Sequence, residues 1–419
     1  MTTKTFAKLS TNQNVPIVST PNFQGASTRA VHDGATRIKP YHSLIEPIVQ
    51  TSTYTFESSS DVCEYMEAHS QGMAGDRIEY GRYGNPTVAA AEARLAALEG
   101  ADAAILFSSG MAAITNALFV LLSSGDHIVM TDDCYRRTRQ FCQQILTQFQ
   151  IQCTVVPLGD YEALEAAIQP QTRLLTSETP TNPYLRVLDV ERFAAIARRH
   201  GVLSLVDSTF ATPLNLRPLE WGVDLVTHSA TKYLGGHNDL LAGVIAGRTE
   251  LINTIREVAG ILGSIPDPHN AYLLIRGLKT LSLRVNHQNR TGLEVAEFLE
   301  KHPAVETVWY PGLASHPDHE VAVRQMTGFG GVVSFTIRGD LQTTSQFIDR
   351  LQIPYISPSL GGTESLVIQP ALMSYYDVAP EERQRLGIRD NLVRLALGLE
   401  DSSDLIADLE QALAYIPLP

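Results

Sequence analysis

Lys232 is the residue of this chain whose surroundings most clearly indicate chemistry. It follows the apolar run 225–227 and two small hydroxyl residues, Ser229 and Thr231, and it precedes Gly235-Gly236. Lysine is uncommon at the end of a buried strand unless it is paired or chemically used, and burial lowers the pKa of its amine. A neutral amine can form a Schiff base with a carbonyl compound. The segment therefore predicts a reactive lysine.

Two further segments have residue types suited to binding a charged ligand. The small residues 108–110 separate an apolar run from a helical pattern that begins at Met111. Such a turn can present backbone N–H groups to a phosphate, although it is also common for geometry alone. Asp207 ends the apolar run 203–206, where a carboxylate is either a helix cap or the partner of a buried cation.

Other short motifs could indicate a different chemistry, and each depends on companion residues elsewhere in the sequence. Ser229-x-x-Lys232 matches the motif of penicillin-recognising acyl enzymes, but the companion SDN and KTG elements are absent from the sequence. The sequence also lacks GxGxxG, GxxxxGK[ST] and GxSxG. His316-Pro317-Asp318-His319 has no cysteine or His-x-x-Glu-His partner that would complete a metal site, so we expect no metal there. The basic segment 136–139 after Tyr135 is either a solvated helix start or part of a binding site.

The elements that position these residues alternate along the chain. Short apolar runs predict strands at 103–107, 127–130, 154–157, 174–177, 203–206 and 225–227. Between them, helical patterns cover 88–98, 111–122, 136–149 and 190–200. This alternation indicates an α/β fold with a parallel or mostly parallel sheet, in which ligands bind beyond the carboxyl ends of the strands.

The alternation of short strands and helices ends in the last third of the chain. Residues 268–301 form one long helical pattern, and isolated strands at 331–337 and 365–368 follow it. We therefore predict an N-terminal arm (1–78), a large α/β domain (79–282) and a smaller α+β C-terminal domain (283–419).

Composition excludes several classes of function. The 419 residues include 32 Lys and Arg against 45 Asp and Glu, so the net charge is 32 − 45 = −13. An acidic chain is poorly suited to nucleic acid or an anionic membrane surface. The four cysteines form no CxxC pair, which indicates a reducing compartment. The first 32 residues resemble a transit peptide only weakly because they are poor in arginine, and we expect a flexible arm and a cytoplasmic protein.

Longer motifs identify a family. The chain resembles the Cys/Met-metabolism family of pyridoxal 5′-phosphate (PLP) enzymes, which implies fold type I and PLP as the cofactor. The segments that match are Tyr80-Gly-Arg-Tyr-Gly-Asn-Pro-Thr87, Ser109-Gly-Met111, Glu178-Thr-Pro-Thr-Asn-Pro183, Val206-Asp-Ser-Thr-Phe210, Ser229-Ala-Thr-Lys232, Ser359-Leu-Gly-Gly-Thr-Glu-Ser365 and Asn391-Leu-Val-Arg-Leu395.

The resemblance implies a role for each matching residue. Lys232 would be the catalytic Schiff-base lysine, and Asp207 would hold the pyridine nitrogen protonated. The remaining cofactor contacts implied are Gly110, Met111, Ser229 and Thr231 on the phosphate, Asn182 beside the ring hydroxyl, and the catalytic Tyr135 stacked on the ring. Arg394 and Ser359 would bind the substrate carboxylate. Tyr80 and Arg82 would reach the cofactor phosphate of a neighbouring subunit, so the arm would make intersubunit contacts.

Within the family, segments 133–139, 235–239 and 354–362 resemble the plant-type cystathionine γ-synthase branch. This likeness implies a transferase of methionine biosynthesis that joins cysteine to an activated homoserine ester, O-phospho- or O-succinylhomoserine, to give cystathionine. Arg137 stands where plant relatives have lysine, and it would contribute to substrate binding. Cystathionine γ-lyase, methionine γ-lyase and homoserine-ester sulfhydrylase are the alternatives. The implied assembly is a dimer with shared sites, in a homotetramer.

Overall fold

The computed structural model describes residues 25–71, 75 and 77–416, and within them the chain forms two β-sheets covered by helices. The first sheet contains the strand ends at which the sequence places the candidate residues. Its strands, in chain order, are β1 (Ala103–Phe107), β2 (His127–Thr131), β3 (Gln152–Val156), β4 (Thr172–Glu178), β5 (Leu203–Asp207), β6 (Leu225–His228) and β7 (Gly243–Gly247).

The spatial order of this sheet is β1-β7-β6-β5-β4-β2-β3. Strands β3, β2, β4, β5 and β6 pair in parallel, and β7 is antiparallel to both β1 and β6. Every residue of β2 and β7 is buried, as expected for a sheet covered on both faces. The predicted mostly parallel α/β fold is confirmed, whereas β7 was not predicted.

The helices pack around both sheets, and their ends follow the local sequence. Asn85 begins the third helix by accepting the N–H groups of Thr87 and Val88, and Gly100 ends it with a φ of 69°. The α-helices are α1 (Ala26–His32), α2 (Ser59–Ser70), α3 (Pro86–Glu99), α4 (Gly110–Leu121), α5 (Arg136–Gln140), α6 (Tyr161–Ala166), α7 (Val190–His200), α8 (Thr212–Asn215), α9 (Thr249–Leu262), α10 (Pro268–Leu278), α11 (Leu281–Lys301), α12 (His319–Gln325), α13 (Leu341–Ile348), α14 (Pro370–Met373), α15 (Pro380–Arg385) and α16 (Ser402–Leu413).

The second sheet follows α11 and is mostly antiparallel. Its strands are β8 (Val305–Trp309), β9 (Val332–Ile337), β10 (Tyr355–Ile356), β11 (Leu366–Ile368) and β12 (Leu392–Ala396), in the spatial order β10-β11-β12-β9-β8. Its buried face packs on α16 through Phe335, Val393 and Leu409. This arrangement places the β10–β11 connection and β12 next to the first sheet.

Two of the predicted helices are interrupted. The pattern at 268–301 forms α10 and α11, which are separated at Lys279 and Thr280. Arg284 Nη2 donates to the carbonyl of Gly277 at 2.8 Å, so that carbonyl bonds to a side chain near the helix break. The pattern at 136–149 begins as α5 and continues as a π-helical turn (Phe141–Ile145) and a 3-10 turn (Leu146–Phe149).

The N-terminal arm is only partly described, and residues 1–24 of the predicted arm lie outside the described part of the chain. Helix α1 packs on its own chain, where Arg29 Nη2 donates to the carbonyl of Ala97 at 3.2 Å. The boundary predicted at 282/283 falls in the first turn of α11 and stays a prediction. Within the described residues, no helix is both long and apolar enough to cross a membrane.

Candidate active site

Parallel pairing brings three strand ends together at one edge of the first sheet. Glu178, the last residue of β4, is in register with Asp207 at the end of β5. Asp207 is in turn in register with Thr227 of β6, and the turn 229–231 leads from β6 to Lys232. The predicted lysine and aspartate therefore lie on neighbouring strand ends, where a parallel sheet binds ligands.

The amine of Lys232 is partly buried and points towards the β10–β11 connection. Its Nζ donates a hydrogen bond to Ser359 Oγ at 2.6 Å. Burial, together with the positive charge of Arg394, lowers the pKa of Lys232 to about 8. Roughly half of the amine is therefore neutral near pH 8, and the neutral form is the one that attacks a carbonyl carbon.

Ser359 reaches Lys232 from a strained backbone. Its φ of 102° is a conformation that residues with a side chain rarely adopt. Nearby, Gly361 has a φ of 77°, and a Cβ there would lie 2.6 Å from the backbone nitrogen of Tyr233. Only glycine allows this close approach, so the connection packs directly against the residue that follows Lys232.

Arg394 on β12 links the second sheet to the same site. Its Nη1 donates to Asn182 Oδ1 at 3.0 Å, and its Nη2 donates to the carbonyl of Ser359 at 2.9 Å. The side chain is buried, and burial lowers its pKa to about 10. Its Nε is buried with no hydrogen-bond partner among the described residues. A buried guanidinium with a spare donor can take a carboxylate.

Asp207 is held by a threonine that the sequence analysis missed. Thr209 donates to Asp207 Oδ1 from its backbone N–H at 3.0 Å and from its hydroxyl at 2.5 Å. Thr209 Oγ1 also accepts the N–H of Ser229 at 2.8 Å. Both bonds to Asp207 end on Oδ1, so Oδ2 is left for a cationic N–H. A threonine two residues after an aspartate commonly closes such a turn, so the contact of Thr209 with Asp207 could have been predicted from the sequence.

The start of α4 faces the turn that precedes Lys232. A Cβ on Gly110 would lie 2.9 Å from Ser229 Cβ, so the helix end and the turn are in close contact. The N–H groups of Gly110 and Met111 are in the first turn, where no earlier helical carbonyl can accept them. Thr231 Oγ1 bonds to the backbone of Ala242, donating at 3.2 Å and accepting at 3.0 Å. The cradle suits an anion.

Tyr135 lies at the start of α5 with 44% of its surface exposed. Its backbone N–H donates to Glu178 Oε2 at 2.6 Å. Glu178 was not among the predicted site residues, although it is a carboxyl group at the end of an apolar strand, as Asp207 is. The aromatic ring is thus attached to the strand ends by its backbone.

Tyr80 and Arg82 make their contacts with other residues of the chain. Arg82 Nη1 donates to the carbonyl of Gly260 at 2.6 Å, and its guanidinium lies 4.8 Å from the ring centre of Tyr83. In the described part of the chain, no hydrogen bond joins either residue to Lys232 or Asp207. Their predicted role in a neighbouring subunit stays a prediction.

The basic segment 136–139 divides into residues with different surroundings. Arg136 Nη2 pairs with Asp377 at 2.8 Å, and Arg136 also donates to the carbonyl of Ser374. Arg137 is exposed and bonds to the neutral amide of Gln140 at 2.7 Å. Arg136 therefore fastens α5 to the second part of the chain, while the cation of Arg137 faces solvent.

The segment 316–319 has a structural explanation. Asp318 accepts two bonds from the guanidinium of Arg186, at 2.6 and 3.1 Å, and one from the N–H of Val187. His316 accepts the N–H of Asp318 at 3.1 Å. Within residues 25–71, 75 and 77–416, no group of three or more His, Cys, Asp and Glu side chains is arranged to hold a metal ion.

These contacts fit PLP, which needs an amine for its aldehyde, an anion for its ring nitrogen and N–H donors for its phosphate. Together with the sheet, they define a PLP-dependent enzyme of fold type I. The family described as "Cys/Met metabolism PLP-dependent enzyme" matches residues 27–414. The chain belongs to this family, and the resemblance seen in its motifs is confirmed.

Named relatives agree with this assignment. The chain is 49% identical over 414 residues to "Cystathionine gamma-synthase 1, chloroplastic" of Nicotiana tabacum, covering 97% of this chain and 76% of that protein. It is 41% identical over 391 residues to "L-methionine gamma-lyase" of Pseudomonas putida, covering 93% and 97%. The crystal structure of metB from Corynebacterium glutamicum superposes with a TM-score of 0.87 at 38% identity, covering 95% of this chain and all of that one.

Proposed function

We propose that the protein is a cystathionine γ-synthase, which replaces the γ substituent of an activated homoserine ester with cysteine. The observation that carries the proposal is the grouping of Lys232, Ser359 and Arg394, which places a carboxylate-binding guanidinium beside a reactive amine. This grouping suits an α-amino acid substrate, because one group must bind the carboxylate while another removes the hydrogen from Cα. The 49% identity to the tobacco synthase supports the reaction type.

The cofactor would be held by the residues that the structure groups at the strand ends. When bound, PLP withdraws electrons from the Cα–H bond of the substrate and so acidifies it. Asp207 Oδ2 would accept the ring N–H, and the ring would stack on Tyr135. The phosphate would bind the N–H groups of Gly110 and Met111 and the hydroxyl of Ser229. The Thr231 hydroxyl would join them by turning its proton from the Ala242 carbonyl to the phosphate, and Asn182 would lie beside the ring hydroxyl.

The chain's own groups then position the substrate and move its protons. Arg394 fixes the α-carboxylate, which orients the Cα–H bond towards Lys232. The neutral amine of Lys232 removes a proton from the substrate, and its ammonium form returns a proton. The lowered pKa of Lys232 makes both forms available near neutral pH. Ser359 aims Nζ. Overall, the γ oxygen leaves with the C–O electron pair, the cysteine sulfur bonds to Cγ, and the thiol proton is released.

One assay tests the proposed reaction against its alternative. The grouping of Lys232, Ser359 and Arg394 would also serve a γ-lyase, and the relative from Pseudomonas putida is named as one. Purified enzyme is offered O-phospho-, O-succinyl- and O-acetylhomoserine with cysteine, and cystathionine is measured against 2-oxobutyrate and ammonia. A synthase forms cystathionine as the main product. Faster cleavage of cystathionine than its synthesis would replace the proposal with the lyase.

An anionic ester is expected to be preferred over the neutral O-acetyl ester. Arg137 is an exposed cation two residues beyond Tyr135. Its side chain bonds to the neutral amide of Gln140, and its charge acts on Asp377 without the direct ion pair that Arg136 forms. We expect Arg137→Ala to raise the KM of the preferred anionic ester about tenfold, because a charge-assisted bond is lost. Initial rates over a range of ester concentrations measure this effect.

Matched variants separate this role from a general effect of surface charge. Arg137→Lys keeps the cation and should recover part of the affinity. Arg173→Ala removes an exposed arginine at the start of β4 and should leave the KM unchanged. Preference for O-acetylhomoserine, or unchanged kinetics of Arg137→Ala, would contradict the expectation.

We also propose a dimer with shared sites, within a homotetramer. The single chain exposes large apolar residues in its first part, among them Tyr41 at 93% and Leu44 at 91%. Exposed apolar surface of this kind is typical of a subunit interface. Among the described residues, neither Tyr80 nor Arg82 forms a hydrogen bond to Lys232 or Asp207 of the same chain, which is compatible with their completing a neighbouring site.

Subunit mixing tests the shared site. Arg82→Ala and Lys232→Ala enzymes should each be inactive, whereas a mixture should recover roughly a quarter of the wild-type activity. About half of the dimers are then hybrids, and one of the two sites in each hybrid has both residues. Activity is measured after subunit exchange has been verified by mass spectrometry of differently tagged chains. No recovery would show that each chain builds its own site.

A cytoplasmic location is proposed on the state of the cysteines. Cys63, Cys134, Cys142 and Cys153 are all free, which suits a reducing compartment. The name of the tobacco relative places that protein in the chloroplast. Fractionation of the source cells, with an antibody against this protein, tests the location.

A further inference from the structure

Glu178 is a buried carboxyl group at the centre of the site to which the reaction assigns no part. It is 4% exposed, and it ends β4 directly beside Asp207. Its Oε2 accepts the backbone N–H of Tyr135 at 2.6 Å. It shares a small cavity with Asp207, Cys134 and Thr227, at the carboxyl edge of the sheet. Burial of a carboxyl group here needs a reason.

Its neighbour Asp207 decides the charge of Glu178. Two carboxylates on adjacent strand ends cannot both ionise without a large cost. Asp207 receives two hydrogen bonds from Thr209, whereas Glu178 receives one from a backbone N–H. Burial and the charges of Asp207 and Asp133 raise the pKa of Glu178 well above its usual range, and the Tyr135 N–H and Arg394 oppose this effect only in part. Burial raises the pKa of Asp207 as well, but both hydrogen bonds from Thr209 lower it, so Glu178 is the member of the pair that keeps a proton.

Tyr135 depends on this contact for its position. Helix α5 has five residues, and the side chain of Tyr135 makes no capping bond at its start. Nearly half of the Tyr135 surface is exposed, so packing holds the ring on one side only. The hydrogen bond to Glu178 ties the backbone of Tyr135 to the end of β4, beside the strand end that bears Asp207.

We propose that Glu178 is a positioning residue, which fixes Tyr135 over the cofactor by accepting its backbone N–H. The proposal rests on the PLP dependence of the family and not on the proposed reaction. Asp207 would then serve as the anion that faces the cofactor ring nitrogen. Glu178 would serve as the neutral hydrogen-bond acceptor that holds Tyr135.

The test compares variants of equal length at position 178 in the holoenzyme. Glu178→Met removes the acceptor, and Glu178→Gln keeps a neutral one. We expect Glu178→Met to raise the dissociation constant of PLP about tenfold or more and to weaken the visible circular dichroism of the bound cofactor. Glu178→Gln should raise that constant less than about threefold, because its carbonyl oxygen still accepts the Tyr135 N–H. Both readouts need no substrate.

A double variant distinguishes positioning from a loss of stability. If Glu178 acts through Tyr135, Glu178→Met and Tyr135→Ala should be non-additive in their effect on PLP affinity. Glu92→Ala is the matched control, since Glu92 is a buried carboxyl that pairs with Arg256 and accepts the N–H of Leu106 on β1, which three strands separate from β4. It should lower the unfolding temperature without changing the affinity for PLP.

Three outcomes would overturn the proposal. Unchanged PLP affinity and circular dichroism in Glu178→Met would show that the contact positions nothing. An equal loss in Glu178→Gln would show that the carboxylate charge, and not the acceptor, is required. Additive losses in the double variant would assign Glu178 a role independent of Tyr135. If Glu178→Met does not fold, Glu178→Ala is measured in the same way. Failure of the synthase assay would leave all these measurements unaffected.

Discussion

Lys232→Ala is expected to remove turnover while the protein stays folded. The amine is the group placed to transfer protons at Cα, and proton transfer by a positioned side chain contributes about 10²- to 10⁴-fold to a rate. In the proposed function the same amine would also attach the cofactor aldehyde covalently, so the loss should exceed ~10³-fold. The measurement is the initial rate of cystathionine formation at saturating substrates, with the absorbance of bound PLP recorded in parallel.

The control for this variant is another lysine outside the site. Lys301→Ala changes an exposed residue at the end of α11 and should leave the rate unchanged. Circular dichroism in the far ultraviolet should be the same for both variants and the wild type. A Lys232→Ala enzyme that forms product at close to the wild-type rate would remove Lys232 from its assigned role.

Arg394→Ala should produce the next largest effect, a fall in kcat/KM of about 10²- to 10³-fold for the amino-acid ester. The guanidinium is buried and holds Asn182 and the Ser359 carbonyl, so its loss removes the carboxylate site and the support of Ser359 together. Because the charge of Arg394 also lowers the pKa of Lys232, the pKa of that amine should rise in the variant apoenzyme. Steady-state kinetics and titration of the amine measure the two effects.

Two variants separate carboxylate binding from the loss of a buried cation. Arg394→Lys keeps the charge but cannot form a fork, so it should restore only part of kcat/KM. Arg338→Ala removes an exposed arginine that donates to the Pro303 carbonyl, and it should have no kinetic effect. An unchanged KM for the ester in Arg394→Ala would show that the carboxylate binds elsewhere.

Local patterns predicted the elements that form the first sheet. The runs at 103–107, 203–206 and 225–227 match β1, β5 and β6 within a residue at each end, because strands in a sheet covered on both faces are short and apolar throughout. Strand β7 was missed because Gly243–Gly247 contains two glycines and no flanking alternation. The break between α10 and α11 was not predicted because the helical apolar spacing continues across it, from Leu278 to Leu281 and Val285.

Functional residues were found where their signal is local. Asp207 ends an apolar strand and Lys232 follows another through a short turn, so their type and place alone indicated chemistry. Glu178 and Thr209 had equally local signals, a carboxyl at a strand end and an Asp-x-Thr turn, and closer attention to strand ends would have found both. In the basic segment, the sequence could not tell which arginine is paired, since Asp377 lies 241 residues from Arg136.

The sequence by itself determined the family, the cofactor chemistry and the residues that can take part in it, because side-chain type and strand-end position are local properties. Tertiary structure alone decided which of those residues meet. Lys232 and Ser359 are separated by 127 residues, and Arg394 and Asn182 by 212. Their contacts depend on how the second sheet packs beside the first. Burial in that packing also lowers the pKa of Lys232, since removal of water from around an amine destabilises its charged form.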